Sequence, residues 1–153
     1  MKGLKSGFLG YDLGSNSVTI WDSGDQVFST TNLGAVAQAV VSTLQRPEKT
    51  VNKYVYVASC TTSQNELLAA LEKETQKTWE VKHTATEAQV KTSEEMISNG
   101  DLTGNFGLVL ASMYGKIEGL RANYAKEESL ANELLGLPIE SLGMTVSAVI
   151  KEI

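Results

Sequence analysis

The chain has one cysteine, Cys60, among its 153 residues. No intrachain disulfide can form, and the count fits a reducing compartment. There is a single histidine, His83, and no His/Cys/Asp grouping has the spacing of metal ligands, so no metal is expected. Long apolar runs are missing. The longest are strand-sized, far short of a membrane span, and Met1 to Gly7 offers a basic pair but no apolar stretch of signal-peptide length. Basic excess is missing too: 13 Lys and Arg stand against 18 Asp and Glu, a formal net charge of −5. That balance disfavours a phosphate-tracking surface and with it nucleic acid as a direct ligand. The expectation is a cytoplasmic protein with neither a membrane nor a nucleic-acid partner.

What is present is the composition of a globular protein, 42% hydrophobic and 20% charged. Its length suits one domain over residues 1–153, with no repeat, linker or low-complexity tract. Gly3, Gly7, Gly10 and Gly14 punctuate an irregular opening loop that carries Phe8, Leu9 and Tyr11. Val18–Trp21 and Gln26–Ser29, separated by the Ser23-Gly24-Asp25 turn signal, predict a hairpin. Leu33, Val36, Ala37, Val40, Val41 and Leu44 follow helical spacing, with Thr31 to cap the start and Pro47 to forbid continuation past Arg46. Asn52–Ser59, with Tyr54-Val55-Tyr56-Val57-Ala58, is apolar on both faces and predicts a strand covered on both sides, as in a parallel sheet.

Ser63-Gln64-Asn65-Glu66 is a capping box opening a helix to about Gln76, and Trp79–His83 predicts a short strand. Thr84 with Glu87 suggests a second capping box before a polar helix to about Ser98. Phe106 to about Tyr114 reads as a buried helix, Lys126–Leu135 as a short helix stopped by Gly136 and Pro138, and Ser141–Ile153 as a last helix. The fold class expected is α/β to α+β: a small mixed sheet flanked by helices, with a helical carboxy-terminal third.

Candidate chemistry is sparse. His83, at a strand end, is of a residue type that serves as a general base but has no partner identifiable in sequence, and a structural or solvent-facing role is the simpler reading. Cys60 lies between a strand end and a helix start, where amide dipoles favour a thiolate, although an inert buried thiol is the simpler reading. Tyr114 and Lys116 are two apart rather than four and cannot share a helix face as a Tyr-x-x-x-Lys pair would. Tyr114 is retained as a weak catalytic candidate or pocket wall, or else a core residue. Phe8, Leu9, Tyr11, Phe106, Met113 and Tyr114 are candidates to line a pocket for an apolar, planar or terpenoid-like molecule, and the same residue types serve equally as core. Asp22, Asp25, Glu94 and Glu95 read as solvated charge.

Two segments carry a family resemblance. Phe28-Ser29-Thr30-Thr31-Asn32-Leu33-Gly34-Ala35-Val36-Ala37, continuing through Arg46-Pro47-Glu48 to Lys53-Tyr54-Val55-Tyr56-Val57, is one. Thr62-Ser63-Gln64-Asn65-Glu66-Leu67-Leu68, running on to Lys77-Thr78-Trp79, is the other. They resemble the carboxy-terminal, substrate-side half of NmrA-like and isoflavone-reductase-like proteins, of the atypical short-chain dehydrogenase group. The resemblance implies that Gly3–Gly10 corresponds to a loop whose apolar side chains face the substrate. It also implies a setting in secondary metabolism or stress.

The family's Gly-rich dinucleotide turn has no counterpart here: the glycines at 3, 7, 10 and 14 do not form G-x-G-x-x-G and follow no strand, so no cofactor is expected. Three readings follow. The chain is a stand-alone binder of an apolar small molecule, with a cofactor-free cyclisation or isomerisation as its conceivable reaction. Or it is a non-catalytic dimeric interaction module. Or it is a fragment of an NAD(P)H-dependent reductase, inactive alone. Homodimerisation fits the first two.

Overall fold

A computed structural model describes residues 2–152. In chain order the elements are α1 (Lys2–Lys5), β1 (Tyr11–Asp12), β2 (Ser17–Trp21), β3 (Phe28–Thr30), α2 (Leu33–Leu44), α3 (Pro47–Thr50), β4 (Cys60–Thr62), α4 (Gln64–Thr75), β5 (Glu80–Thr84), α5 (Thr86–Ser98), α6 (Gly104–Tyr114), α7 (Tyr124–Glu127), α8 (Asn132–Leu135) and α9 (Leu142–Ile150). They make a small mixed sheet flanked by helices, with the carboxy-terminal third helical, as the fold class anticipated. The sheet order is β1-β2-β5, with β1 antiparallel and β5 parallel to β2; β3 and β4 form a separate antiparallel pair.

The hairpin expected of residues 18–29 does not form. Gln64, at the first turn of α4, occupies the edge of β2 that a hairpin partner would need. Its Oε1 accepts from the Trp21 amide at 2.8 Å, and its Nε2 donates to the Thr19 carbonyl at 3.0 Å. The intervening turn is held to α4 instead. Asn65 donates to the Ser23 carbonyl and the Asp25 carboxylate, and its amide donates to the Gly24 carbonyl. Gly24 has φ +73°, and any Cβ there would collide with Asn65 and Ile20. β2 takes its parallel neighbour β5 in the register Val18–Val81 and Ile20–His83.

The Ser63 capping box is present, with both reciprocal bonds made. The other two expected caps are not. Thr31 donates instead to the Val57 carbonyl, and Asn32, at the α2 N-cap, makes no side-chain capping bond, its amide donating to Glu140 and Thr145. At α5 the cap comes from far along the chain: Asp22 accepts from the Thr86 amide and hydroxyl at 2.9 and 2.6 Å. Asp22 is therefore not merely solvated charge, and Asp25 is bonded as well.

Residues 52–59 are not a covered strand. Tyr56 makes one parallel bridge to Leu130, and Tyr54 is 91% exposed. The segment expected as one helix over 126–135 is two single turns, α7 and α8, parted by the stretch that bridges to Tyr56. Helix α6 forms but is not buried all round: Phe106 is 59% exposed, while Gly104, Ala111 and Tyr114 face inward.

Three apolar clusters result. The first joins Leu4, Leu9, Tyr11, Val18, Ile20, Leu67, Leu71, Trp79, Val146 and Val149, so α1, β1, β2, α4 and α9 share one core. The second holds Trp21, Phe28, Ala111, Tyr114 and Ala122, with Met113 packed against both. The third is Ala39 with Leu135 and Leu137, under α2. Among the described residues no helix is long and apolar enough to cross a membrane.

Candidate ligand-binding groove

The Gly-punctuated opening builds a concavity. Gly7 and Gly10 have φ of +73° and +81°, conformations that glycine adopts without strain. They fold residues 6–10 into a turn, with the Gly10 amide on the Gly7 carbonyl at 2.9 Å. The Gly10 carbonyl then accepts from the Thr19 amide at 3.0 Å, which docks the turn on β2. After β1 the chain turns back through Asp12, whose Oδ1 accepts from the Gly14 and Ser15 amides at 2.8 and 3.2 Å. Hydrogen bonding from Ser15, and then from Gly14, holds the Asp12 carboxyl below the usual carboxylate range.

Between these turns and β2 lies an open groove of about 670 Å³. Leu13 gives it an apolar side, while Tyr11 and Val18 border it with their side chains buried in the first core; Ser17 and Thr19 add hydroxyls; Lys5 of α1 and Lys82 of β5 also line it. Both lysines have carboxylate partners, Glu152 at 2.6 Å and Glu80 at 3.3 Å. The Lys5 ammonium draws the Glu152 carboxyl below its ordinary range through a hydrogen bond and its charge. The groove can hold and orient a small molecule with an apolar body and a few polar groups. Among the described residues no three His, Cys, Asp or Glu side chains stand together as a metal site.

The six residues named from sequence for a pocket are distributed differently. Tyr11 lines the groove, yet its ring belongs to the first core and its hydroxyl donates to the Gln64 carbonyl at 2.7 Å. Leu9 and Tyr114 are buried and joined, the Tyr114 hydroxyl donating to the Leu9 carbonyl at 3.0 Å. Phe8 meets Phe106 edge to face, with ring centroids 5.8 Å apart. Met113 packs between the two larger cores. Together they form the seam that closes the opening segment onto α6.

Burial pushes the phenols of Tyr11 and Tyr114 well above the ordinary tyrosine range, with the neighbouring Tyr114 adding to the effect at Tyr11. A Tyr114 phenol so placed stays neutral and is already committed as a donor. Trp21 and Phe28 pack edge to face on its ring. His83 is exposed on β5. Cys60 is buried within β4, its Sγ 3.2 Å from Thr30 Oγ1. Leu13, Ser17, Val18, Lys5 and Lys82 were not singled out from sequence. The signal for them was the glycine spacing itself, which marks tight turns around a β-ribbon as well as it marks a phosphate loop.

No family model matches the chain. Among curated proteins it is similar to one named oxidoreductase aprR from Aspergillus flavus, 33% identical over 144 residues, covering 94% of this chain and 48% of that protein. It is also similar to oxidoreductase poxI of Penicillium oxalicum, 32% identical over 143 residues, covering 94% of this chain and 46% of that protein. The chain therefore spans about half the length of the curated relatives it matches. Proteins named as oxidoreductases resemble it over almost all of its length.

Proposed function

We propose that this chain is the substrate-side part of an NmrA-like, reductase-related protein, and that it binds an apolar small molecule of secondary metabolism. The groove between the glycine turns and β2 is the observation that carries this reading. It is built by the same opening segment that resembles a substrate-facing loop, and Leu13 and the glycine turns stand there beside the hydroxyls of Ser17 and Thr19 and two ammonium groups. Acting alone, the chain accelerates a reaction by holding a reactive ligand in one folded conformation, the entropic contribution to a cyclisation or isomerisation. It does so without a redox step of its own.

A thermal-shift screen of apolar aromatic and terpenoid compounds beside NADPH tests the reading. Compounds that stabilise the wild type should lose their effect in Ser17→Trp, which fills the groove from a strand position that tolerates an aromatic residue. Equal stabilisation of both proteins would place the ligand elsewhere and sink the reading.

A second reading is favoured by the relatives' names and by the half-length match. In it the groove serves a hydride transfer whose dinucleotide is held by another part of the protein. NADPH would then stabilise the chain only after addition of the portion of Penicillium oxalicum poxI that this chain does not span.

A further inference from the structure

The stretch from Lys53 to Ala58 forms none of the named strands; Tyr56 makes its single bridge, to Leu130, and this leaves one edge occupied and the other without partners. On the occupied edge the Tyr56 carbonyl accepts from the Ala131 amide at 2.8 Å, while Ala58 exchanges bonds with the Asn132 side chain at 3.1 and 2.7 Å. On the other edge, among the described residues, the Val55 amide, the Val55 carbonyl, the Val57 amide and the Lys53 carbonyl have no hydrogen-bond partner. Two groups on that edge are satisfied at home: the Lys53 amide by the Thr50 carbonyl, and the Val57 carbonyl by Thr31.

We propose that this edge pairs with the same edge of a second copy, antiparallel, about a two-fold axis at Val55. The free groups are self-complementary in that arrangement. Val55 faces Val55 of the other copy and exchanges both of its bonds, and each Val57 amide meets the opposite Lys53 carbonyl. The groups left over in each Val57–Lys53 pair are the two already bonded within their own chain. No other register uses all the free groups and leaves only satisfied ones.

The side chains agree with the backbone. One face of the stretch joins α2 in an apolar groove of about 290 Å³ walled by Val36, Val40, Leu44, Val55 and Val57. The opposite face carries Tyr54 and Tyr56, the latter stacked on Tyr124 at 5.5 Å. Pairing would set each Tyr54 directly opposite the other copy's Tyr56, at the closely spaced positions of an antiparallel ladder. Val36, Val40, Leu44 and Tyr54 are 41%, 55%, 74% and 91% exposed. Their uncovered area is on the order of 500 Å² per copy, the level at which a specific interface of about 1,000 Å² in total begins.

Sedimentation equilibrium of the full chain, with backbone amide exchange followed across a concentration series, tests this. Wild type should dimerise, and the Val55 and Val57 amides should gain protection together as the dimer fills. Val55→Pro removes an amide that the monomer does not use. It should raise the dimer dissociation constant by at least roughly tenfold while leaving the melting point of the dilute monomer in place. Val40→Glu should weaken the dimer as well, from the α2 side.

A wild type that stays monomeric at high concentration would overturn the proposal, as would a dimer that leaves the Val55 amide exchanging freely. If Val55 is protected only by the unmatched portion of poxI, the edge belongs to a strand of another part of the protein, and the two-fold pairing is wrong.

Discussion

Gln64 is 1% exposed, and its side-chain amide satisfies two backbone groups of β2 that no strand reaches. Gln64→Leu keeps the volume and orphans both groups. Each buried unsatisfied group costs about 1–3 kcal/mol, so the urea midpoint should fall by an amount equivalent to roughly 2–6 kcal/mol. Asp12 makes a pH-dependent contribution. Its carboxyl is held lower in the folded state than in the unfolded chain, so the folded protein gains stability above the unfolded value of about 3.9 and loses it as pH falls through the folded value. The stability gap between wild type and Asp12→Ala should therefore be present at neutral pH and shrink on acidification, in parallel urea titrations. Sequence alone identified Ser63 as a cap because both partners lie within four residues. It could not identify Asp22 as the cap of α5, since Thr86 is 64 positions away. Tyr114 was legible as a candidate by type only. Its bond to Leu9, which ties the hydroxyl down, spans 105 positions.

Helices α5 and α6 pack closely against each other. A methyl group at Gly107 would collide with the Ser93 hydroxyl, and one at Gly104 would strike the Ser93 carbonyl. These glycines set the helix spacing, in a helix whose composition gives glycine no other reason to be there. Gly107→Ala should destabilise by about 1–3 kcal/mol, the usual cost of overpacking. Ser93→Ala in the same chain should return much of that loss, because it removes the atom being struck. Thermal melts of the two single variants and the double variant measure the coupling. Helices with strong periodicity, α2, α4 and α9, were legible in position and length. Residues 54–58 were misread as a covered strand because a local apolar pattern does not record pairing: only Tyr56 finds a bridge partner, Leu130, and Tyr54 stays exposed. The hairpin was misread too: a side chain from α4 took the place of the strand that the local pattern promised.

At the scale of the molecule, the fold class was legible and the site was not. Alternating helix and strand patterns point to an α/β arrangement whatever the pairing. The groove depends on which strand β2 accepts as a neighbour and on glycine turns whose outcome is set by long-range docking. Apolar residues that looked like a pocket became a seam between two cores, since a core and a pocket select the same side chains. The chain carries a closed core at α4 and α9 and leaves one face of α2 exposed. The claim at the centre is that ligand binding occurs in the groove beside β2. Backbone amide shifts recorded while titrating an apolar compound that raises the melting point test it most directly. The account predicts shifts at Gly10, at residues 12–19 and at Lys82, all abolished by Ser17→Trp. Shifts confined to α2 and residues 54–57, or spread without a focus, would contradict it.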